Sequence, residues 1–304
     1  MSFLSKIRVG VLRGGPSTEY EVSLATGANI LKNLPSTYQP IDIFISRDGK
    51  WHIQGAEHEP HQVVGKVDVV FNALHGEYGE DGKVQNVLEA FGIPFTGPKS
   101  FAATSAMNKA LAKKLISHLP IKTPRHEVLK RRELDKLGLQ ELFRKSPHPC
   151  VIKPSALGSS VGVSVVDGFS NFANAIEKAF SFSEEIMIEE FINGKEATCG
   201  VVDNLRDVRY YALLPVEIIP PEGSHFFDYD AKYGGHSREI CPGNFSAKEN
   251  EELQRLAILV HRELGLRHYS RSDFIVSPRG IYFLEANTLP GLTAESLLPK
   301  ALSA

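Results

Sequence analysis

Charged and polar side chains alternate near the end of the chain, where residues 271–287 read RSDFIVSPRGIYFLEAN. Residues 278–280 (PRG) are typical of a three-residue hairpin loop, with glycine at the position that requires a positive φ. If Ser277 pairs with Ile281, alternate side chains of the two strands share one face of the hairpin. The side chains on that face are Arg271, Asp273, Glu285 and Asn287. This pattern could bind a cation through oxygen ligands.

The predicted register places Asp273 directly opposite Glu285. Two opposed carboxylates repel each other unless a cation lies between them. Carboxylate oxygens beside the amide oxygen of Asn287 suit Mg²⁺ or Mn²⁺, which binds a few protein oxygens together with substrate phosphates. The alternative is a salt-bridge cluster with Arg271 on a solvated hairpin, and we expect Asp273 to be exposed. The opposite face is predicted to enter a core through Phe274, Val276, Tyr282 and Leu284.

A glycine- and serine-rich loop, KPSALGSSVG at residues 153–162, lies between two predicted strands. It lacks the GxxxxGK[ST] order of a P-loop and the strand–GxGxxG–helix context of a dinucleotide site. Small residues nevertheless let backbone N–H groups approach phosphate oxygens, and the hydroxyls of Ser159 and Ser160 add donors. Lys153 could neutralise phosphate charge. The loop therefore indicates a phosphate-binding site, with a flexible hairpin connection as the alternative.

Three further segments could contribute to a site. Residues 226–236 (FFDYDAKYGGH) are typical of a functional lid, or of an Ω-loop packed by its own side chains. Residues 14–23 (GGPSTEYEVS) place a glycine turn before a helix N-terminus, which favours an anion or carboxyl group, although Glu19 could simply complement the helix dipole. Residues 75–82 (HGEYGEDG) follow a predicted strand, and His75 there could line a site or be a hydrogen-bonded structural residue.

Strands and helices alternate up to about residue 95, which predicts a parallel sheet with its functional loops at the carboxyl ends of the strands. The predicted strands are residues 6–12, 41–46 and 67–74, and the predicted helices are residues 23–34 and 83–91. Later elements are a helix at residues 100–117, strands at residues 149–154, 161–166 and 185–190, a helix capped by Ser170, and a helix with a capping box from Ser246 to Glu249. The pattern predicts an α/β and α+β fold in three compact units.

The composition excludes several classes of protein. The 304 residues carry 34 Lys and Arg against 36 Asp and Glu, and this formal charge of −2 provides no global positive field for nucleic acid or an anionic membrane. No apolar run approaches the roughly 18–20 residues of a membrane span, and the first residues lack the apolar stretch of a signal peptide. The three widely separated cysteines disfavour a disulfide framework or a cysteine zinc site and favour the cytoplasm.

Six motifs, spread in order over nearly the whole chain, resemble those of the D-alanine–D-alanine ligases, an ATP-grasp family of cell-wall precursor synthesis. They are GGPSTEYEVSL, LHGEYGEDG, KPSALGSSVGVS, FFDYDAKY, SRSDFIV and LEANTLPGLTAES. The resemblance implies an N-terminal Rossmann-like parallel-sheet domain at residues 1–98 and a two-part ATP-grasp fold, with a central subdomain at residues 99–192 and a C-terminal subdomain with the metal site and lid at residues 193–304. It also implies ATP-dependent joining of two D-alanines through an acyl phosphate, and a homodimer formed through the N-terminal domain.

The resemblance further implies roles for the residues that match the family's motifs. The implied ligands of Mg²⁺ or Mn²⁺, with two ions bound, are Asp273, Glu285 and Asn287. The implied ATP contacts are Lys109, Lys153, Ser159, Ser160, Glu189, Glu190, Phe191, Ile192, Glu196, Lys232 and Ile275. The implied D-alanine contacts are Glu19, His75, Ser296 and Leu297. The implied catalytic groups are a hydrogen-bonded set of Glu19, Ser159 and Tyr233, together with Arg271 and the Gly291 N–H at the oxyanion.

Other functions remain open at this level. A D-alanine–D-lactate ligase would use the same scaffold, and Tyr233 favours the dipeptide product because the depsipeptide enzymes resemble this pattern with a different lid residue. Another ATP-grasp carboxylate–amine ligase is a further alternative. The acidic trio and the charged lid disfavour a non-catalytic nucleotide-binding protein. The base for the second D-alanine ammonium has two candidates, Tyr233 acting through Ser159 and the acyl phosphate itself.

Overall fold

The computed structural model describes residues 6–220 and 238–304, and for residues 135–137 it describes the backbone alone. The predicted lid at residues 226–236, with Lys232 and Tyr233, lies outside the described residues. The described residues form three sheets, which follow one another along the chain. No helix in this part of the chain is both long and apolar enough to cross a membrane. The domain bounds given above remain a prediction.

The first sheet has the strand order β4-β3-β2-β1-β5 and is parallel where β1 pairs with β2 and β5. Its elements and flanking helices are β1 (Ile7–Gly14), α1 (Tyr20–Asn33), β2 (Tyr38–Ile45), β3 (Trp51–Ile53), β4 (Ala56–His58), α2 (Pro60–Val64), β5 (Val69–Asn72) and α3 (Lys83–Ala90). Strand β1 is buried on both faces: Val9 and Val11 pack with Ile30 of α1, whereas Leu12 packs in the core that contains Leu88 of α3. This burial is typical of a sheet with helices on both faces, and it confirms the predicted α/β unit.

A single helix was expected at residues 100–117, but the structure contains two, α4 (Ser100–Met107) and α5 (Lys109–Leu115). Asn108 is extended (φ −84°, ψ 103°), and its side chain accepts a hydrogen bond from Leu111 N at 3.0 Å, so it is the N-cap of α5. The Lys109 N–H then donates to Ser155 O at 2.9 Å. The break therefore places Lys109 against the glycine-rich loop.

The second sheet is antiparallel, with the strand order β6-β9-β7-β8. Its elements are β6 (His126–Lys130), α6 (Arg131–Leu137), α7 (Leu139–Lys145), β7 (Cys150–Pro154), β8 (Ser164–Val166), α8 (Phe169–Phe180) and β9 (Glu185–Glu190). The prediction that Ser170 caps α8 was wrong, since Gly168 is the N-cap and the helix begins one residue before Ser170. Strand β8 begins at Ser164 rather than at residue 161, which leaves residues 155–163 as the loop between β7 and β8.

The third sheet has the strand order β13-β12-β10-β14-β15, and β11 also pairs with β10. Its elements and helices are β10 (Lys195–Leu205), β11 (Val208–Ala212), β12 (Val216–Ile219), β13 (Arg238–Ile240), α9 (Ala247–Glu263), β14 (Tyr269–Ser277), β15 (Gly280–Asn287) and α10 (Leu297–Ser303). The capping box of α9 is confirmed: Ser246 and Glu249 each accept a backbone hydrogen bond from the other. The predicted apolar stripe of α9 is buried against the sheet, through Leu253, Leu256, Ala257, Val260 and Leu264.

The β14–β15 hairpin has the predicted pairing at its charged end but not at its turn. Ser277 pairs with Gly280, so the loop has two residues instead of the three that were predicted. A β-bulge between Asp273 and Phe274 then shifts the register, so that Asp273 pairs with Glu285 as expected. The shorter turn shifts the register by one residue and the bulge shifts it back, so the pairing at Asp273 is the predicted one.

The bulge also changes which side chains of β15 enter the core. Phe274 and Val276 of β14 are buried as predicted, but Phe283 occupies the core position that was assigned to Tyr282 and Leu284. Leu284 is the extra residue of the bulge, and its side chain lines a cavity beside Glu285. The prediction for Tyr282 and Leu284 was wrong because strict alternation fails where two residues oppose one.

Candidate active site

Residues from all three sheets and their loops line two neighbouring cavities, which share Lys109 and Glu285. The larger cavity, of about 430 Å³, brings together these predicted site residues: Glu19, His75, Ser159, Arg271, Asn287, Gly291, Ser296 and Leu297. The smaller cavity, of about 140 Å³, brings together these: Lys153, Ser160, Glu189, Glu190, Phe191, Ile192, Glu196, Asp273 and Ile275. The predicted D-alanine residues thus lie in the larger cavity and most of the predicted ATP contacts in the smaller one, although Ser159 lines the larger cavity. Lys109 and Glu285, which form an ion pair, line both.

Asp273 is held on three sides by side chains of its own sheet. Arg271 binds it through two hydrogen bonds of 2.9 Å, Asn287 Nδ2 donates to Oδ2 at 3.0 Å, and Thr198 Oγ1 donates to Oδ1 at 2.7 Å. Asp273 is only 9% exposed, so the expectation of an exposed residue was wrong. Strand β14 lies between β10 and β15, and Thr198 on β10 covers the carboxylate from the side that the hairpin leaves open.

Glu285 faces a different cation. Its Oε2 lies 3.1 Å from Lys109 Nζ, which also donates to Leu157 O at 2.5 Å in the glycine-rich loop. Arg271 and Lys109 therefore offset the repulsion between the opposed carboxylates of Asp273 and Glu285, in part as the salt-bridge alternative expects. Burial opposes the charge of Arg271, but neighbouring carboxylates, first among them Asp273, raise its pKa.

The predicted metal ligands suit a hard divalent cation by their chemistry. Asp273 and Glu285 are cross-strand partners, and Asn287 lies within hydrogen-bond distance of Asp273. Across residues 6–220 and 238–304, no group of three or more His, Cys, Asp and Glu residues could hold a metal ion. A set of two carboxylates and one amide leaves coordination positions for phosphate oxygens and water, which is how Mg²⁺ is usually bound.

A buried ion cluster supports the floor of the smaller cavity. Glu189, 2% exposed, accepts from Lys153 Nζ at 2.6 Å through one oxygen and from Lys113 Nζ through the other. Burial lowers the pKa of Lys153 to about 8, and the nearby Lys109 ammonium adds to this effect. Burial and the same cluster of lysines lower the pKa of Lys113 well below its ordinary value. Sequence reasoning missed Lys113; its spacing of four residues from Lys109 on α5 was the available signal.

The glycine-rich loop closes over Glu19. Ser159 Oγ donates to Glu19 Oε1, and a Cβ atom on Gly158 would lie 3.2 Å from Glu19 Oε2. Ser159 and Ser160 both have positive φ values, 54° and 56°, which non-glycine residues adopt at a cost and mainly at functional sites. Two members of the predicted catalytic set are thus in contact, and the third, Tyr233, lies outside the described residues.

His75 both lines the site and is hydrogen-bonded inside the structure, the two alternatives that the sequence left open. It is 5% exposed, and its Nε2 lies 3.0 Å from Thr26 Oγ1 on α1. One edge of its side chain also lines the larger cavity. The residue is therefore a hydrogen-bonded histidine at the wall of the site.

The segment before α10 also lines the larger cavity. Ser296 Oγ accepts from Thr293 N at 3.1 Å and lies 2.8 Å from Thr293 Oγ1, so a tight turn brings it under Gly291. A Cβ atom on Gly291 would lie 2.7 Å from Ser296 Oγ, which explains why glycine is required there. Leu297 is the first residue of α10.

Glu80 lines the same cavity and was not predicted as a site residue. Its carboxylate accepts from Gly76 N at 2.8 Å, from Leu289 N at 3.1 Å and from Thr288 Oγ1 at 3.2 Å. Burial and the charge of Glu19 raise the pKa of Glu80 to about 7. Its position in the motif LHGEYGEDG was the only sequence signal.

The last residues of β9 border the smaller cavity. Glu190 accepts from Arg279 Nη1 at 2.7 Å, which connects this strand to the turn of the β14–β15 hairpin. The Glu190 N–H donates to Arg125 O at 2.8 Å, and Phe191 N donates to Pro149 O at 3.1 Å. These two hydrogen bonds hold the backbone at the end of β9 against Arg125 and Pro149.

Comparison with solved structures places this arrangement among known folds. The VanG D-Ala:D-Ser ligase from Enterococcus faecalis superposes with a TM-score of 0.86 at 31% identity, over 98% of this chain and 95% of that one. The D-alanine–D-alanine ligase from Bacillus anthracis complexed with ATP superposes with a TM-score of 0.77 at 29% identity, over 98% and 90% of the two chains. The fold and its joined cavities define an ATP-grasp ligase, as the sequence predicted.

Two family models identify the family to which the chain belongs within the ATP-grasp ligases. The model described as D-ala D-ala ligase N-terminus matches residues 8–64 and 54–98, and the one described as D-ala D-ala ligase C-terminus matches residues 115–304. The D-alanine–D-alanine ligase of Geobacter sulfurreducens is 39% identical over 301 residues, which cover 98% of this chain and 88% of the relative. The chain belongs to the D-alanine–D-alanine ligase family.

Proposed function

We propose that the chain joins two D-alanines to D-alanyl-D-alanine at the expense of ATP, through an acyl phosphate, for peptidoglycan precursor synthesis. The observation that carries this proposal is the junction of the two cavities at Lys109 and Glu285. A nucleotide in the smaller cavity would direct its terminal phosphate towards a carboxylate bound in the larger one. Phosphoryl transfer between two substrates requires such a junction, because donor and acceptor must be in line and shielded from water.

In the first step, a carboxylate oxygen of the first D-alanine attacks the γ-phosphorus of ATP, and the bond to the β-phosphate oxygen breaks to release ADP. Glu19 binds the D-alanine ammonium, and Lys109 and Lys153 neutralise phosphate charge. The glycine-rich loop covers the phosphates through Ser159 and Ser160, and Lys232 reaches the γ-phosphate. The nucleoside is held by Glu189, Glu190, Phe191 and Ile192 at the adenine and by Glu196 at the ribose. Ile275 is a further contact to the nucleotide.

In the second step, the amine of the second D-alanine attacks the acyl carbon, and the C–O bond to phosphate breaks as the tetrahedral oxyanion collapses. The proton that the amine loses goes to one of two candidate bases, Tyr233 acting through Ser159 or the acyl phosphate itself. Arg271 and the Gly291 N–H stabilise that oxyanion. Ser296 and the Leu297 N–H bind the carboxylate of the second D-alanine, and His75 lines the site. Because Asp273 already holds Arg271 through two hydrogen bonds, the guanidinium is oriented before the substrate arrives.

Asp273, Glu285 and Asn287 would hold the Mg²⁺ or Mn²⁺ ions, two of them, between nucleotide and protein. Divalent cations at this position would neutralise the negative charge that develops on the transferring phosphoryl group. Lys109 and Arg271 contribute positive charge to the same carboxylates and keep the ligands oriented.

The remaining partners follow from the family. D-alanine and ATP are the small-molecule substrates, the protein acts in the cytoplasm, and it forms a homodimer through its N-terminal domain. No nucleic acid or membrane takes part, in keeping with the formal charge of −2.

Release of phosphate in the presence of ATP, Mg²⁺ and D-alanine tests the proposal, with the dipeptide identified by mass spectrometry. D-lactate and D-serine, each supplied with D-alanine near neutral pH, serve as competing second substrates. We expect D-alanyl-D-alanine as the main product. A preference for D-lactate or D-serine would overturn the choice of second substrate, and an absence of turnover would favour a non-catalytic nucleotide-binding protein.

A further inference from the structure

The carboxylate of Glu80 connects two loops that are more than 200 residues apart in the chain. Oε2 accepts from Gly76 N in its own loop, residues 75–82. Oε1 accepts from both Thr288 Oγ1 and Leu289 N, in the segment that follows β15. The side chain is therefore fixed at both oxygens, and each oxygen binds a different loop.

Both of the connected loops line the larger cavity. The first contains His75, and the second lies between Asn287 and Gly291. Thr288 and Leu289 are each 2% exposed, so their backbone has little freedom once Glu80 holds it. A shift of this segment would move the Gly291 N–H relative to Arg271.

Burial and the charge of Glu19 oppose the charged form of Glu80 and raise its pKa to about 7, whereas the hydrogen bonds from the two loops favour the carboxylate. Glu19 faces it from the start of α1, and Arg271 and Tyr269 face it from β14; the pKa of each of these two is raised partly by Glu80. Arg271 is the positively charged group among them, and its main partner is Asp273. Glu80 thus belongs to the electrostatics of the oxyanion region as well as to its backbone.

We propose that Glu80 is a positioning residue for the second half-reaction: by tying residues 75–82 to residues 288–291, it holds the Gly291 amide where the tetrahedral oxyanion forms. The inference rests on the proposed function. Glu80 does not line the nucleotide cavity, and the segment that it anchors leads to the Gly291 N–H, which the proposed function assigns to the second step, so acyl phosphate formation should depend on it much less. The step that depends on it is the attack of the second amine.

Glu80→Gln is the direct test. Glutamine has one acceptor oxygen, and its NH₂ group cannot accept from a backbone N–H, so one of the two loops loses its anchor whichever way the amide is oriented. Glu77→Gln is the matched control, because Glu77 lies in the same loop with its side chain 61% exposed. Thr288→Val removes one donor and leaves the carboxylate intact.

Rapid-quench kinetics measure the two half-reactions separately, as the burst of ADP and as the appearance of dipeptide. For Glu80→Gln we expect dipeptide formation to fall about 10- to 100-fold, the cost of a small misplacement of a catalytic donor, with the ADP burst and the KM for ATP within about twofold of wild type. Thr288→Val should lower the rate of dipeptide formation about three- to tenfold. In the double variant Glu80→Gln/Thr288→Val, the rate should fall by less than the product of the two single-variant factors, because the two residues share one hydrogen bond. Glu77→Gln should match wild type.

Dipeptide formation within twofold of wild type in Glu80→Gln would overturn the inference, and so would an equal loss in both half-reactions. If Glu80→Gln does not fold, Thr288→Val decides, and unchanged dipeptide formation in that variant refutes the role. A wild-type enzyme that forms no dipeptide would overturn the proposed function and this inference with it. An active wild type beside an equally active Glu80→Gln would overturn the inference alone.

Discussion

Binding of the nucleotide should depend on pH through Lys153. This side chain is 7% exposed at the floor of the smaller cavity, and burial together with Lys109 lowers its pKa to about 8. Below that pH Lys153 carries a positive charge that attracts phosphate, and above it the charge is lost. ATP affinity should therefore be constant in mildly acidic solution and fall as the pH rises through about 8.

The magnitude follows from the titration of a single group. With a pKa of about 8, roughly nine tenths of the Lys153 side chains are protonated at pH 7 and about one tenth at pH 9. The dissociation constant of a non-hydrolysable ATP analogue should then rise about tenfold between these two values. Binding at pH 8.5 should take up about 0.75 proton, which calorimetry in two buffers of different ionisation enthalpy measures directly.

Two variants test whether Lys153 is the group responsible. Lys153→Arg should keep its charge throughout this range, because the arginine pKa exceeds about 12, so its affinity should not change with pH. Lys145→Arg is the control, since Lys145 is 57% exposed and lines neither cavity. A wild-type affinity that is unchanged from pH 7 to 9, or a Lys153→Arg affinity that still declines, would refute the reasoning.

Three other substitutions probe the site and its support. Asp273→Asn keeps the shape of the side chain but removes its charge. Turnover should therefore fall about 10²- to 10³-fold, which is the effect of losing one preorganised electrostatic group. Substantial activity in the phosphate-release assay would show that the metal assignment is wrong. Glu19→Gln should raise the KM for the first D-alanine about 10- to 100-fold, the value of a charge-assisted hydrogen bond, and unchanged kinetics for that substrate would exclude the role. Lys113→Met leaves Glu189 paired with Lys153 but one of its oxygens without a donor, so it should cost about 1–3 kcal/mol in the free energy of urea unfolding. Lys114→Met, at an exposed position, should cost less than about 0.5 kcal/mol; equal losses would show that the Lys113–Glu189 contact is not stabilising.

The hairpin shows what alternation in a sequence can and cannot predict. The pairing of Asp273 with Glu285 was correct, although it followed from a turn one residue too long. A two-residue loop displaces the register by one, and the bulge after Asp273 restores it. Since no residue type marks a bulge in this segment, Phe283 and Leu284 could not be assigned to the correct faces from the sequence.

The adenine, ribose and second D-alanine contacts were predicted from the family resemblance alone. Local chemistry predicted Asp273, Glu285 and Asn287 on the hairpin and Lys153, Ser159 and Ser160 in the glycine-rich loop. It did not predict how the loops of the site are held. Lys113 and Glu80 act through partners 76 and 209 residues away, and neither has a distinctive local pattern. Asn108 is a further example, since only the contact of Lys109 N with Ser155 O shows why a helix must break there.

The burial of Asp273 follows from strand order and changes how the site must be tested. A two-stranded hairpin alone would leave this carboxylate open to solvent on one side, as was expected. Because β10 pairs with β14 on that side, Thr198 donates to Asp273 and the carboxylate becomes the fixed partner of Arg271. Replacing Asp273 by alanine would leave Arg271 buried without this partner, so a loss of activity would mix misfolding with lost chemistry. Asparagine preserves an acceptor for Thr198 but places an NH₂ group against Arg271 Nη2 and Asn287 Nδ2. The free energy of urea unfolding of Asp273→Asn, measured beside its activity, therefore separates the two effects.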